Sequence, residues 1–204
     1  MTYPEFLKLQ SSLIPSQNVS RETFNLLKTY VECVLRANET FNLIGPKEKY
    51  RIWERHVIDS MQLFPHIENK GKVCDVGSGA GFPGIVLGIL GLTNITLVES
   101  IKKKASFLQD VSHETFLKNK VLWDRVENLK EIFDVVTARG VASLEKIFNW
   151  TYHIRNANTS YVLLKGKTYN VEIEQALKKY QFDVKIFQSV THLDGKILVI
   201  QNVH

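Results

Sequence analysis

Cysteine is scarce in this sequence: Cys33 and Cys74 are the only two among 204 residues. Two cannot build a disulfide framework, and free thiols fit a reducing compartment. Long apolar runs are missing as well. The longest, residues 82–92, is too short and too rich in glycine to span a bilayer. The opening stretch, MTYPEFLKLQ, has no basic flank followed by an apolar run, so no secretory signal is expected. The histidines and cysteines match no zinc spacing, and no carboxylate cluster suggests a magnesium cage, so no metal is expected. The expected location is the cytoplasm, with no membrane partner and no need for more than a monomer. What is present suits a soluble chain. Hydrophobic residues make up 44% and charged residues 23%, which supports one buried core and excludes wholesale disorder.

The net charge is +5. Residues 101–168 hold 12 basic and 7 acidic side chains, an excess equal to that of the whole chain. Such a stretch is either a solvated face or a face for a polyanion.

Two textures divide the chain. Residues 1–67 read as a helical segment. Ser20 is an N-cap, followed by Phe24, Leu27, Val31, Val34 and Leu35 at helical spacing. After a break at residues 42–46, Pro46 is placed to open a further helix with Tyr50, Trp53, Val57, Met61 and Phe64 on its apolar stripe. Residues 68–204 alternate short apolar runs with helical patterns. Strands are expected over 72–76, 95–98, 121–123, 133–137 and 161–164, and helices over 83–92, 102–117, 144–153 and 171–180. That rhythm argues for an α/β fold, a mostly parallel sheet with helices on both faces. Residues 182–188 and 196–202 depart from it, because Asp194-Gly195 between them signals a terminal antiparallel hairpin.

The strongest local signal follows the first strand. Val73-Cys74-Asp75-Val76-Gly77-Ser78-Gly79-Ala80-Gly81-Phe82-Pro83-Gly84 runs from strand through alternating glycines into a helix. Glycines there let backbone turn tightly and approach a ligand, and the helix beyond adds its positive end. Glu99, at the end of the next strand, is placed to accept both hydroxyl hydrogens of a ribose. Gly79, Gly81 and Gly84 satisfy G-x-G-x-x-G, so spacing alone leaves a nicotinamide cofactor open. Asp75 and the terminal hairpin favour S-adenosylmethionine, since a carboxylate suits a cationic ligand better than a pyrophosphate.

Three further segments join that loop: Asn42-Leu43 with Arg55-His56-Val57-Ile58-Asp59-Ser60; Phe133-Asp134-Val135-Val136-Thr137-Ala138-Arg139 with Val141-Ala142-Ser143-Leu144; and Leu164-Lys165-Gly166. With them the chain resembles the bacterial small-subunit (16S) ribosomal RNA guanine-N7 methyltransferase family, also called glucose-inhibited division protein B. The resemblance implies the class I methyltransferase fold with a seven-stranded sheet. It implies S-adenosylmethionine as methyl donor and 16S rRNA or the small ribosomal subunit as partner. It also implies cofactor positions at Gly77 and Phe82, at Val126-Glu127 after the third strand, and at Arg139 after the fourth. Asp75, Gly79 and Glu99 join these from the physical reading. Val126 and Gly140 stand where the family has Ala, and Ile44 where it usually has Thr, which weakens the carry-over of the first segment only. The alternative is a class I methyltransferase acting on a protein or small molecule. Against it, Thr137-Ala138-Arg139-Gly140 stands where a Pro-Pro-Tyr-type tetrapeptide would be expected.

Guanine N7 carries an in-plane lone pair on its Hoogsteen edge, so methylating it needs no proton removed first. No catalytic acid or base is assigned, and the work expected of the site is orientation. An A-form duplex hides N7 in a deep, narrow groove, so the target base must be unpaired or extruded. Expected RNA-facing residues are Lys102, Lys103, Lys104, Arg139, Lys165 and Lys167, with Arg51, Arg55 and His56 from the helical segment. His56 and Asp59, one turn apart, read as a structural pair joining helices to sheet and not as catalytic residues.

Overall fold

The computed structural model describes residues 1–14, 17–67 and 71–204. Helix α1 (Tyr3–Leu13) begins at Thr2, which forms a capping box with Glu5. Helix α2 (Arg21–Asn38) begins where Ser20 accepts from the Thr23 amide, as its sequence predicts. Pro46 sits in a turn and opens no helix. The Gly45 amide donates to Glu48 Oε2 at 3.0 Å, which closes that turn, and only a 3-10 turn, Glu48–Arg51, follows. A π-helical stretch, Trp53–Ile58, then runs into α3 (Asp59–Met61), with α4 (Phe64–Ile67) beyond.

The rest of the chain builds one sheet. In chain order its elements are β1 (Val73–Val76), α5 (Gly84–Ile89), β2 (Ile95–Glu99), α6 (Lys102–Glu114), β3 (Lys120–Trp123), β4 (Val135–Arg139), α7 (Leu144–Thr151), β5 (Ser160–Lys165), α8 (Tyr169–Ala176), β6 (Asp183–Gln188) and β7 (Lys196–Gln201). The strand order is β3-β2-β1-β4-β5-β7-β6. The first five strands are parallel, and β7 runs antiparallel between β5 and β6. The last connection is wider than Asp194-Gly195 implies. It takes in residues 189–195, closed by the Ser189 amide on Gly195 O at 3.0 Å, and the Gln188 side-chain amide fills it.

Alternation along the strands sorts side chains to two faces. Val73, Leu97, Val135, Val162 and Leu164 face a layer containing Leu27, Tyr30, Val31, Val57, Ile58 and Met61 with the apolar sides of α5 and α6. Cys74, Val76, Val136, Tyr161 and Leu163 face Leu144, Ile147, Phe148 and Ile173. The helical segment therefore packs into the sheet's own core. The boundary expected between residues 67 and 68 adjoins residues 68–70, which lie outside the described residues. Among the described residues no helix is long and apolar enough to cross a membrane.

Candidate active site

Ligands of an open parallel sheet gather outside the carboxyl ends of its strands. A cavity of about 1020 Å³ opens there. Gly77, Ser78, Gly79, Phe82 and Glu99 line it from the glycine loop and β2, and Arg55, His56 and Asp59 from the helical segment. Arg139 and the residues after β5 line the remaining side.

The loop is held from two sides. Glu99 is buried, and its two oxygens accept from the Gly79 amide at 2.9 Å and the Ile101 amide at 2.8 Å. Gly79 adopts φ +58°, where a side chain is strained, and a Cβ there would meet only Gly77 O at 3.7 Å. Its backbone therefore borders open space. From α2, the Tyr30 hydroxyl donates to Ala80 O at 2.9 Å, and its ring lies 5.0 Å from that of Phe82. Sequence reasoning missed this role for Tyr30, which sits among apolar residues of one helical face and carries no mark of its own.

Arg139, the last residue of β4, joins two parts of the molecule. Its guanidinium donates to Arg55 O at 3.0 Å, to Asp59 Oδ2 at 3.4 Å and to His56 Nδ1, and lies 5.2 Å over the Phe82 ring. His56 and Asp59 thus meet through Arg139 and not as the direct pair expected. The second Asp59 oxygen accepts from Gln62 at 2.8 Å and from Thr191 at 2.6 Å, which brings in the β6–β7 connection.

This geometry is accompanied by family-level similarity. A family model described as GidB, rRNA small subunit methyltransferase G, matches residues 23–201. The chain belongs to that family. It is 42% identical over 185 residues to the ribosomal RNA small subunit methyltransferase G of Orientia tsutsugamushi (strain Ikeda), covering 90% of this chain and 93% of that protein. Its fold is similar to that of a ribosomal protein L11 methylase from Lactobacillus delbrueckii subsp. bulgaricus, with TM-score 0.59 and 16% identity over 72% of this chain and 78% of the other. It is also similar to a T. thermophilus 16S rRNA N2 G1207 methyltransferase solved with AdoMet and guanosine, with TM-score 0.51 and 14% identity over 93% and 45%. Membership makes the chain an rRNA methyltransferase on the class I fold.

Two expected site residues of this methyltransferase are engaged otherwise than the sequence suggested. Asp75 is 1% exposed and does not line the cavity. It shares a strand face with Val73, so it points into the layer beneath the loop. There Oδ2 accepts from the Gly84 amide at 3.3 Å while Oδ1 has no partner. Burial pushes its carboxyl up to about 7, against the opposing pull of Ser78, the Gly84 amide and Arg139. It buttresses the loop from beneath and does not line the cavity. Lys165 is the second. Its ammonium donates to Glu172 at 2.8 Å and Ala142 O at 2.7 Å, and its side chain is 7% exposed. Lys165 lines the cavity, but its charge is taken up by Glu172 and braces β5 against α8.

The other candidates divide. Lys104, Lys167 and Arg55 line the cavity together with the paired Lys165. Lys102 and Lys103 are exposed on α6, with ammonium groups 5.0 Å from the Trp123 ring and 4.4 Å from the Phe41 ring. Arg51 pairs with Glu54 at 2.5 Å. Val126-Glu127 lies in a 3-10 turn after β3, with Val126 buried and Glu127 exposed. A smaller hollow of about 470 Å³, lined by Trp123, Asp124 and Arg125, shares Ser100 and Ile101 with the main cavity and leads toward that dipeptide. The basic excess of residues 101–168 is split between the sheet's two ends. Lys118, Lys120 and Lys130 precede or begin strands at the far end, where Glu131 pairs with Lys72 at 2.6 Å and with Lys120 at 3.6 Å. Among the described residues no group of three or more His, Cys, Asp or Glu could hold a metal.

His56 is neutral. Burial, then the charges of Arg139 and Arg55, push its imidazole down to about 3. With Nδ1 accepting from Arg139, the ring proton sits on Nε2, 3.4 Å from Glu48 Oε2. His56 and Asp75 tilt stability against pH in opposite directions. An unfolded imidazole titrates near 6.5, so as pH falls toward 3 the unfolded chain gains a proton that the folded chain refuses, and stability is lost. An unfolded aspartate titrates near 3.8, so as pH rises toward 7 the unfolded chain releases a proton that the folded chain keeps, and stability is again lost. Urea midpoints at pH about 4.5 and about 7 check both. Relative to the parent, Asp75→Asn should gain stability over that rise and His56→Gln should lose it.

Proposed function

We propose that the protein transfers the methyl group of S-adenosylmethionine to N7 of a guanine in 16S ribosomal RNA, met as an unpaired or extruded base. The observation that carries this reading is one cavity lined both by a nucleoside-type group and by cations. Glu99 and the glycine loop supply the first, and Arg139, Lys104, Lys167 and Arg55 the second. Gly77, Gly79 and Phe82 would hold the cofactor, with Glu99 at the ribose hydroxyls and the adenine toward Val126-Glu127. A buried carboxylate already bonded to the loop amide, beside open space at Gly79, fits a nucleoside. S-adenosylmethionine supplies an electrophilic methyl group on a sulfonium sulfur. The guanine offers a lone pair, so no side chain here has to take a proton. Neutral His56, with Nδ1 occupied by Arg139, is not poised as a base. The chain's contribution is alignment of base and donor, with the cations on phosphates. Residues 1–67 and 68–204 then act together, since Arg55, His56 and Asp59 come from the first and Arg139 from the second. The partner is 16S rRNA or the small subunit, met by a monomer in the cytoplasm.

Methyl-labelled S-adenosylmethionine, offered with small ribosomal subunits, stripped 16S rRNA and a protein fraction, tests this. Label is expected in RNA as N7-methylguanine by mass spectrometry. Label confined to protein would sink the reading and leave the class I alternative.

A further inference from the structure

A guanine reaches such a cavity only by leaving its stack, and proteins that open base steps often insert an apolar side chain into them. The connection between β6 and β7 carries one. Leu193 is 90% exposed, more than any other large hydrophobic side chain among the described residues. Its neighbours His192 and Asp194 both line the cavity. Exposure alone would mean little, but this leucine stands on a fastened backbone. The Gln188 side-chain amide lies 3.0 Å from both His192 O and Leu193 O, and 3.1 Å from Gly195 O. The Asp194 amide donates to His192 Nδ1 at 3.1 Å, and the Gly195 amide to His192 O at 3.0 Å. At the base of the turn, Thr191 donates to Asp59 at 2.6 Å and Ser189 to the same oxygen at 3.3 Å. Asp59 is the carboxylate that receives Arg139. An apolar side chain is thus held in water beside the cavity, on a turn tied to a cation of the site. The next most exposed apolar residues do not share this setting. Phe116 follows α6 at the far end of the sheet, and the Lys49 ammonium lies 4.9 Å from the Tyr50 ring.

We propose that Leu193 is a wedge that enters the RNA stack beside the target guanine and fills the place the base leaves. The occupant of this surface is a nucleobase step, with Arg55, Lys104 and Lys167 around the cavity meeting its phosphates. The inference rests on the proposed guanine-N7 reaction and adds how the base is kept out of its stack.

Chemical probing of small ribosomal subunits reads unstacking directly, with S-adenosylhomocysteine present so that no methyl group is transferred. The parent protein is expected to raise the reactivity of nucleotides flanking the methylated guanine. Leu193→Ala should leave them at the level of the free subunit and slow methylation at saturating subunits by about tenfold. Leu193→Phe should preserve both. Unchanged thermal midpoint and S-adenosylhomocysteine affinity in Leu193→Ala would show an intact fold. Flanking reactivity raised equally by Leu193→Ala and the parent overturns the wedge, whatever the rate. A parent protein that forms no N7-methylguanine in any RNA would instead overturn the reaction on which the wedge depends.

Discussion

Glu99→Gln is expected to weaken S-adenosylhomocysteine binding by about 10- to 100-fold, the range set by losing a hydrogen bond to a charged group. Both carboxylate oxygens of Glu99 are already engaged, by the Gly79 and Ile101 amides, and each keeps a further lone pair for a ribose hydroxyl. A glutamine retains one acceptor and turns two donors toward groups that also donate. The variant therefore loses a ribose contact and one anchor of the loop together. Calorimetric titration measures the affinity, and the KM for S-adenosylmethionine should rise alongside while turnover at saturation changes less. Glu174→Gln is the contrast, because Glu174 is exposed on α8 and lies outside the cavity lining; its affinity should stay within about threefold of the parent's. An unchanged affinity in Glu99→Gln would remove Glu99 from the cofactor site.

The second large effect is structural. Gly84→Ala should destabilise the fold by about 3 kcal/mol, the upper end for overpacking a close-packed interior. A Cβ at this position would lie 2.3 Å from Leu97 Cδ2, 2.6 Å from Asp75 Oδ2 and 3.2 Å from Asp75 Cβ. Leu97 is fully buried on β2 and Asp75 lies on β1, so neither strand can yield without moving the sheet centre. Relieving the clash also pulls the Gly84 amide from Asp75, the bond that seats the start of α5. A fall in thermal midpoint of roughly 6–12 °C follows for a chain of this size. Gly166→Ala should leave the midpoint unchanged, because nothing lies within 4 Å of a Cβ there. Equal midpoints for Gly84→Ala and the parent would contradict the packing described.

Much of this was legible before any coordinates. Strand rhythm and hairpin anticipated five strands and a terminal antiparallel pair, because a strand's period of two and a helix's of 3.6 are local properties. The glycine loop and Glu99 were legible for the same reason: close approach to a ligand demands particular residues at particular spacings. Side-chain direction and partnership were not. Asp75 reads as a ligand because it stands beside the glycines, yet strand alternation turns it under the loop and burial favours its neutral form. Lys165 reads as a free cation, yet Glu172 encloses it.

Net charge shows the same division. The sequence by itself determined that the whole +5 lies within residues 101–168. Only the tertiary structure decided that Lys104, Arg139, Lys165 and Lys167 reach the cavity while Lys118, Lys120 and Lys130 go to the opposite end of the sheet. The reason is that each parallel strand carries its chain from one end to the other, so residues adjacent in sequence across a strand end on opposite sides of the protein. The Arg139–Asp59–Thr191 link was equally out of reach of the sequence. It joins three distant stretches of chain that meet only because the helical segment and the terminal hairpin come together at the carboxyl end of β4.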